Sequence, residues 1–482
     1  MKCAHISVLL GLLLLGACGK PVSDKPGLIL ARSDFKQGVP SPAAMMILRN
    51  TGSEWDQETL VAPERKETYQ LGKRESDGKT FLKRIDKSGK PEGGPLHFSP
   101  ATSEEGGWTI VSAADVHDDD VHWIIKKKSR KPKTKTYEMA GGNVFHKCMW
   151  FQPTFGEAGI LTISANMPYL QIWRGGAGAW EAETLWTAEV GGREQRLRDV
   201  EVGDLDGDGQ DELVVVTHDL GAIYVLEQTA TGFEAQEVHR AAERTFVHEA
   251  EIGDLDGDGN LEFYTTPSEP NRFDGSEQAG GIDSYRWNSA TSTYDRKPVA
   301  ILKDRHAKEI LVVDQDGDGK SELYAALEAE GLEGENAVVI LRRWVWSGSE
   351  VAHDLDVSLE GSMCRFLNLG DTNGDGVKEI IASTKNAGIF AAFPKGNAWV
   401  SKKLLPGFVS GGFEHATVVM DWDGDGKDEL FVASDSQKSL NLFRHVDDKP
   451  FLEREELANF APEAGKNDSY FIWNIMPLPA GK

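Results

Sequence analysis

Cysteine is scarce, with four residues in a chain of 482, at positions 3, 18, 148 and 364. None stands at a metal-site spacing. Cys148 and Cys364 lie in widely separated segments and are expected to be buried free thiols. Positive charge is in deficit too. Lys and Arg total 52 against 77 Asp and Glu, a net of −25, which argues against a nucleic-acid binder because phosphate contacts need basic surface. No segment holds 18 consecutive apolar residues, so no spanning helix is expected. Also missing are a nucleophile elbow, a Walker phosphate loop, a zinc-protease helix and a catalytic Cys-His signature. What is present is 13 Trp and 20 Phe, which exclude a disordered chain, and 51 Gly, which imply many turns.

The first residues read as an address. Lys2 precedes an apolar run from Ile6 to Leu15, too short to cross a bilayer but suited to the core of a signal peptide. It ends Leu15-Gly16-Ala17-Cys18, which resembles a bacterial lipobox. That resemblance implies a signal over 1–17, lipidation of Cys18 and a linker over 18–26. Gly19, rather than Asp, follows the cysteine, so outer-membrane anchoring in the cell envelope is the expectation.

The rest of the chain repeats itself. Asp204-Leu205-Asp206-Gly207-Asp208-Gly209, closed by Glu212, recurs from Asp254, Asp314, Asp371 and Asp421. An alternating segment precedes each copy, two apolar runs follow, and a more polar segment completes the unit. Four short strands joined by tight turns make one blade of a β-propeller, with the polar fourth strand at the solvated edge. The repeats run over about 195–457 within a single domain expected from 27 to 482.

Blades without the loop show the same rhythm. Val144 to Val190 reads as one, and Trp108 to Met139 as another, with Asp115 to Asp120 at the loop position. Residues 65–100 read as an insertion of hairpins. Gly27–Ala31, Met45–Leu48 and Trp55–Val61 supply three strands of a blade whose first strand is Tyr470–Met476, closing the ring. The expectation is an all-β propeller of eight four-stranded blades. Seven blades with a larger insertion at 65–140 is the alternative.

In each loop the acids at positions one, three and five face one centre, glycines at four and six allow the tight turn, and Glu at nine closes the site. Hard oxygen donors in a flexible cage suit Ca²⁺ rather than Zn²⁺. An EF-hand is excluded, because it needs its Glu at position twelve and flanking helices. The signature resembles the FG-GAP, or VCBS-type, repeats of integrin α-subunit-like propellers. The resemblance implies about five structural Ca²⁺ ions held between the first two strands of a blade. Carried over, the ligands are Asp204, Asp206, Asp208 and Glu212; Asp254, Asp256, Asp258 and Glu262; and Asp314, Asp316, Asp318 and Glu322. The last two sets are Asp371, Asn373, Asp375 and Glu379, and Asp421, Asp423, Asp425 and Glu429. Asn373 removes one charge from its loop. The 109–125 loop lacks glycine and has Trp123 in place of the closing Glu, and the 152–160 loop offers only Glu157.

Six residues before each loop stands a residue that can carry positive charge: Arg198, His248, Lys308, Arg365 and His415, with His146 in the blade lacking the motif. On the innermost strand, strand alternation would place these on one face, ringing the channel mouth opposite the loops. Neighbouring Asp199, Glu249 and Glu309 give the competing reading, a lattice of interblade ion pairs. A second basic feature is the tract Lys126 to Lys135, with seven positive charges in ten residues. It reads as a solvated hairpin tip or as a contact for an anionic partner. No catalytic residue is assigned. The leading expectation is a lipid-anchored binding or scaffold module for an anionic glycan or a protein. The alternative is a carbohydrate-active enzyme, such as a polysaccharide lyase working in the central channel.

Overall fold

The computed structural model describes residues 25–62 and 144–482, except 37–38, 41–42, 53, 166–167, 177, 189–195, 219–220, 241–244, 269–279, 304, 330–337, 397, 406–414, 447–451 and 461–468; between 63 and 143 it describes strands alone. The signal segment, Cys18, the Asp115–Asp120 loop and most of the basic tract lie outside these residues. Among the described residues no helix is long and apolar enough to cross a membrane.

The chain is a β-propeller of seven antiparallel four-stranded blades. Blade one is composite. Ser469–Leu478 is its inner strand, followed outward by Gly27–Lys36, Ala44–Asn50 and Trp55–Val61. Blade two starts at Val144–Phe151. Blades three to seven have as inner strands Leu197–Gly203, Phe246–Gly253, Ala307–Val313, Cys364–Gly370 and His415–Met420. These inner strands neighbour one another in sequence, and Ser469–Leu478 joins the last to the first.

The sequence rhythm has a packing cause. The second strand of a blade is covered on both faces by neighbouring blades, so it is a continuous apolar run rather than an alternating one. In Glu212–Thr217 every residue is buried, Leu213, Val214, Val215 and Val216 completely. At about 1.5–3 kcal/mol per fully buried large aliphatic side chain, this interblade packing outweighs what an isolated hairpin supplies. The fourth strands alternate or lie exposed, as in Glu453–Asn459.

The expected eighth blade does not form. Trp108–Val111 pairs with Trp123–Ile125 and with Ser99–Thr102 in a separate three-stranded sheet. Thr134–Met139 pairs instead with Arg65–Lys73, in a sheet completed by Thr80–Ile85 and Pro91–His97. The whole of 65–139 is therefore an insertion between blades one and two. Spacing gave the right strands but the wrong partners, because nothing in a short alternating run specifies its edge.

The ring closes as expected. Gly27 to Phe35 pair with Leu478 to Ser469. Trp473 Nε1 donates to Ser33 Oγ at 2.7 Å, and Trp422 Nε1 of blade seven donates to the Pro26 carbonyl at 2.8 Å. Trp422 also stacks on Trp55 at 5.4 Å, binding the last blade to the composite one. Cys148 and Cys364 are buried free thiols.

One glycine of the repeat needed the structure to explain it. Gly253 and Gly370 stand just before the first loop Asp. A Cβ on Gly253 would lie 2.3 Å from Val312 Cγ1 of the next blade, and one on Gly370 would lie 2.2 Å from Val419 Cγ1. Close approach of neighbouring inner strands, rather than a turn, requires glycine there.

Candidate metal loops and the inner-strand ring

Each acidic loop is held open by its own backbone. The first Asp accepts from the glycine N–H groups three and five residues on. For Asp204 the donors are Gly207 at 2.9 Å and Gly209 at 3.0 Å. Asp254, Asp314, Asp371 and Asp421 repeat the pair at 2.7–3.1 Å. Both glycines have positive φ, 79° and 89° in the first loop, a conformation that a Cβ penalises. The fifth-position Asp accepts from the N–H two residues on, as Asp208 does from Gln210 at 2.7 Å. The closing Glu starts the second strand, and it is buried in all five loops.

The result is five clusters whose carboxylate oxygens lie within 4.8 Å of one another: Asp204, Asp206 and Glu212; Asp254, Asp256 and Asp258; Asp314, Asp316 and Asp318; Asp371, Asp375 and Glu379; and Asp421, Asp423 and Asp425. Such clusters could hold metal ions. The closing glutamates carry the mark of uncompensated charge. Burial first, and then the Asp carboxylates of the same loop, push Glu212, Glu322, Glu379 and Glu429 up to about 7. A hard cation among these oxygens offsets both the burial and the repulsion, so the donor set fits one.

The loops also join blade to blade. Ser321 donates its N–H to the Asp254 carbonyl at 2.8 Å, and Asp428 to the Asp371 carbonyl at 3.0 Å. Asp428 returns a bond, accepting from the Asp371 N–H at 2.7 Å. Sequence reasoning missed these links, because loop position eight looked variable. In blade two, the Gln152 amide bonds the carbonyls of Pro153 and Gly156, and Arg174 Nε donates to the Glu157 carbonyl.

Five of the six ring positions have a shared structural identity that alternation could not show; His415 pairs in regular register with Ser434. The ladder shifts register between Phe145 and Lys147, Leu197 and Asp199, Val247 and Ala250, Ala307 and Glu309, and Cys364 and Phe366. His146, Arg198, His248, Lys308 and Arg365 thus lie at β-bulges, and Trp473 lies at the matching bulge of blade one. The argument that these residues share a face with positions two and four therefore fails, because a bulge interrupts alternation. His415 belongs to its strand, but its side chain lies outside the description.

The bulges still bring the residues together. The ring of His146 meets Trp473 edge to face at 5.3 Å, and His248 meets His218 at 5.1 Å. Burial, and then the charge of Arg198, holds His146 well below the ordinary imidazole range. Burial holds His248 down too, with His218, Arg198, Lys308 and Arg365 adding to it. Both imidazoles are therefore neutral at pH 7.

The next position on each strand shows the lattice. Asp199 accepts the Ala250 N–H of the following blade at 3.1 Å, and Glu309 accepts the Leu367 N–H at 3.1 Å. These acids satisfy the inner strands' unpaired edge. Lys147 Nζ reaches Asp199 at 3.1 Å and also pairs with Glu201. Burial pulls Lys147 down, but the two acids outweigh it and hold it above its ordinary value. Glu201, Glu249, Glu251 and Glu309 are all raised by burial, with mutual repulsion adding to it. Lys308 pairs with buried Glu328 at 2.8 Å.

No curated protein matches the sequence. Among solved structures, a lectin of Agrocybe aegerita that recognises non-reducing terminal N-acetylglucosamine is 14% identical, with 92% of this chain and 99% of that chain covered and a TM-score of 0.46. A protein of Bacteroides uniformis, provisionally named a 6-phosphogluconolactonase, is 10% identical, with 86% and 100% covered and a TM-score of 0.46. The FG-GAP-like repeat matches residues 204–265, from the loop of blade three through the loop and second strand of blade four. That loop recurs in five of the seven blades, so the chain is a β-propeller that carries FG-GAP-like repeats.

Proposed function

We propose that this protein is a calcium-stabilised binding module, tethered through Cys18 to the outer membrane of a bacterial cell envelope, that takes an anionic glycan at the bulge end of its channel. The observation that carries the reading is a set of buried polar atoms at that end. Neither ring nitrogen of His146 has a hydrogen-bond partner among the described residues, and His248 Nδ1 has none. Buried polar groups are ordinarily satisfied, so orphans beside Arg198 and Arg365 suit a polar ligand such as a glycan, whose hydroxyls bring both donors and acceptors to a neutral imidazole. Arg recognises carboxylate through a planar fork, which favours uronic-acid residues. Lys308 is engaged by Glu328 and stands apart from this role. The loops hold Ca²⁺ structurally, since their carboxylates close a hairpin and leave no position for substrate.

Arg198→Ala combined with Arg365→Ala should abolish retention on uronic-acid polysaccharides while leaving the melting temperature within a few degrees. Affinity should rise as pH is lowered below the ordinary imidazole range, because both free imidazoles titrate below it and an anion beside His146 and His248 raises their proton affinity. Calorimetric titration of the calcium-loaded protein measures both. Retained binding with a large loss of stability would establish a purely structural ring. For the tether, Cys18→Ser should move the protein from the membrane to the soluble fraction. Retention of that variant through a high-salt wash would refute lipidation.

A further inference from the structure

Arg286 lies on the third strand of blade four, directly opposite Glu262. Its guanidinium enters the acidic loop. Nη1 lies 2.9 Å from Asp256 Oδ2 and 3.0 Å from Glu262 Oε1, and Nη2 bonds Asp258 Oδ2. Three of the four carboxylates assigned to this loop's ion therefore meet one built-in cation.

A second observation sets this loop apart. In the other four loops the closing Glu accepts the N–H of the second loop residue: Leu205, Gln315, Thr372 and Trp422, at 2.7–3.0 Å. Glu262 turns instead to Arg286 and to the Tyr264 hydroxyl, which donates at 3.3 Å.

The same strand position explains how the other blades differ. In blades three, five and six the residue after the partner of the second strand's first core residue is Glu227, Val345 or Phe393. None of these can neutralise a loop. Blade seven has Arg444 there, but its guanidinium bonds Glu455 at 2.9 Å and covers the Trp422 ring. Blades one and two lack the acidic motif and carry Arg49 and Arg174 at this position. Arg49 Nε donates to the Lys482 carbonyl and Arg174 Nε to the Glu157 carbonyl, both at 2.8 Å. In both motif-free blades, arginine at this register thus bonds a main-chain carbonyl at the rim where the other blades carry their acidic loops.

We propose that the blade-four loop is closed by Arg286 in place of calcium, so that the protein binds four Ca²⁺ ions rather than five. A divalent ion beside the guanidinium meets repulsion and loses the Glu262 ligand, so both changes act against it. The proposal rests on the calcium reading of the other loops.

Metal analysis after equilibrium dialysis against millimolar calcium tests it. Wild type should hold four ions per chain, and Arg286→Gln should gain one. Asp256→Asn should leave the wild-type count at four and return the Arg286→Gln protein from five to four. The Asp256→Asn arm in the wild-type background stands even if the arginine variant folds poorly. A wild-type count of five that falls to four with Asp256→Asn overturns the proposal, as does a count that Arg286→Gln leaves unchanged. No calcium in any variant overturns the calcium reading itself, and the proposal with it.

Discussion

Chelation should lower the melting temperature of the calcium-loaded protein by on the order of 10 °C. A ligand present at a hundredfold excess over its dissociation constant adds about 2.7 kcal/mol per site when it binds the native state alone, so four sites add about 11 kcal/mol. For a chain of this size each kcal/mol is worth only about 1–2 °C, extrapolating the trend in which larger domains shift less. The effect should exceed that of an ordinary surface salt bridge for two reasons. The closing glutamates are buried, so removing the ion leaves charge that must be protonated or exposed. The loops also bond across blades, through Ser321 to Asp254 and Asp428 to Asp371, so loosening one loop loosens an interface. Scanning calorimetry with chelator, and after calcium is returned, measures the shift. An unchanged melt, with no calcium found by metal analysis before or after, would remove all the sites together.

Deleting residues 469–482 should have a still larger effect and leave no cooperatively folding monomer. The deletion removes the inner strand of blade one, and with it the pairing to Gly27 through Phe35. It exposes the edge of the Gly27–Lys36 strand and opens the ring between blades seven and two. Ile475 and Leu478 leave two separate apolar clusters, and Ser33 loses the indole of Trp473. A milder form of the experiment is Ile475→Ala, which should cost about 2–5 kcal/mol, as for a fully buried aliphatic side chain. A truncated protein that melts in one transition at the wild-type temperature would show that the remaining six blades hold themselves closed.

Much of this architecture was legible in the sequence because it is periodic. Five copies of one loop fix the blade length. The buried second strands appear as runs such as Leu213 to Val216, and the composite blade follows from one missing strand at each end. The eighth blade was misread for the converse reason. Trp108–Val111 and Trp123–Ile125 have the right lengths and residue types, but pairing depends on which edges meet in space. The bulges at His146, Arg198, His248, Lys308 and Arg365 were invisible because a one-residue shift shows only against the partner strand. Arg286 was missed because its loop lies about 30 residues earlier in the chain, and only the sheet register places them side by side.

The composite blade also gives the molecule a polarity. Gly27 pairs with Leu478, at the end of an inner strand where the other blades turn into their acidic loops. The chain therefore enters the propeller on the metal-loop rim. Whatever holds the polypeptide ahead of Gly27 holds the disc by that rim, and residues 18–26 reach at most about 30 Å when fully extended. The end carrying His146, Arg198 and His248 lies opposite that rim, at the other end of the inner strands.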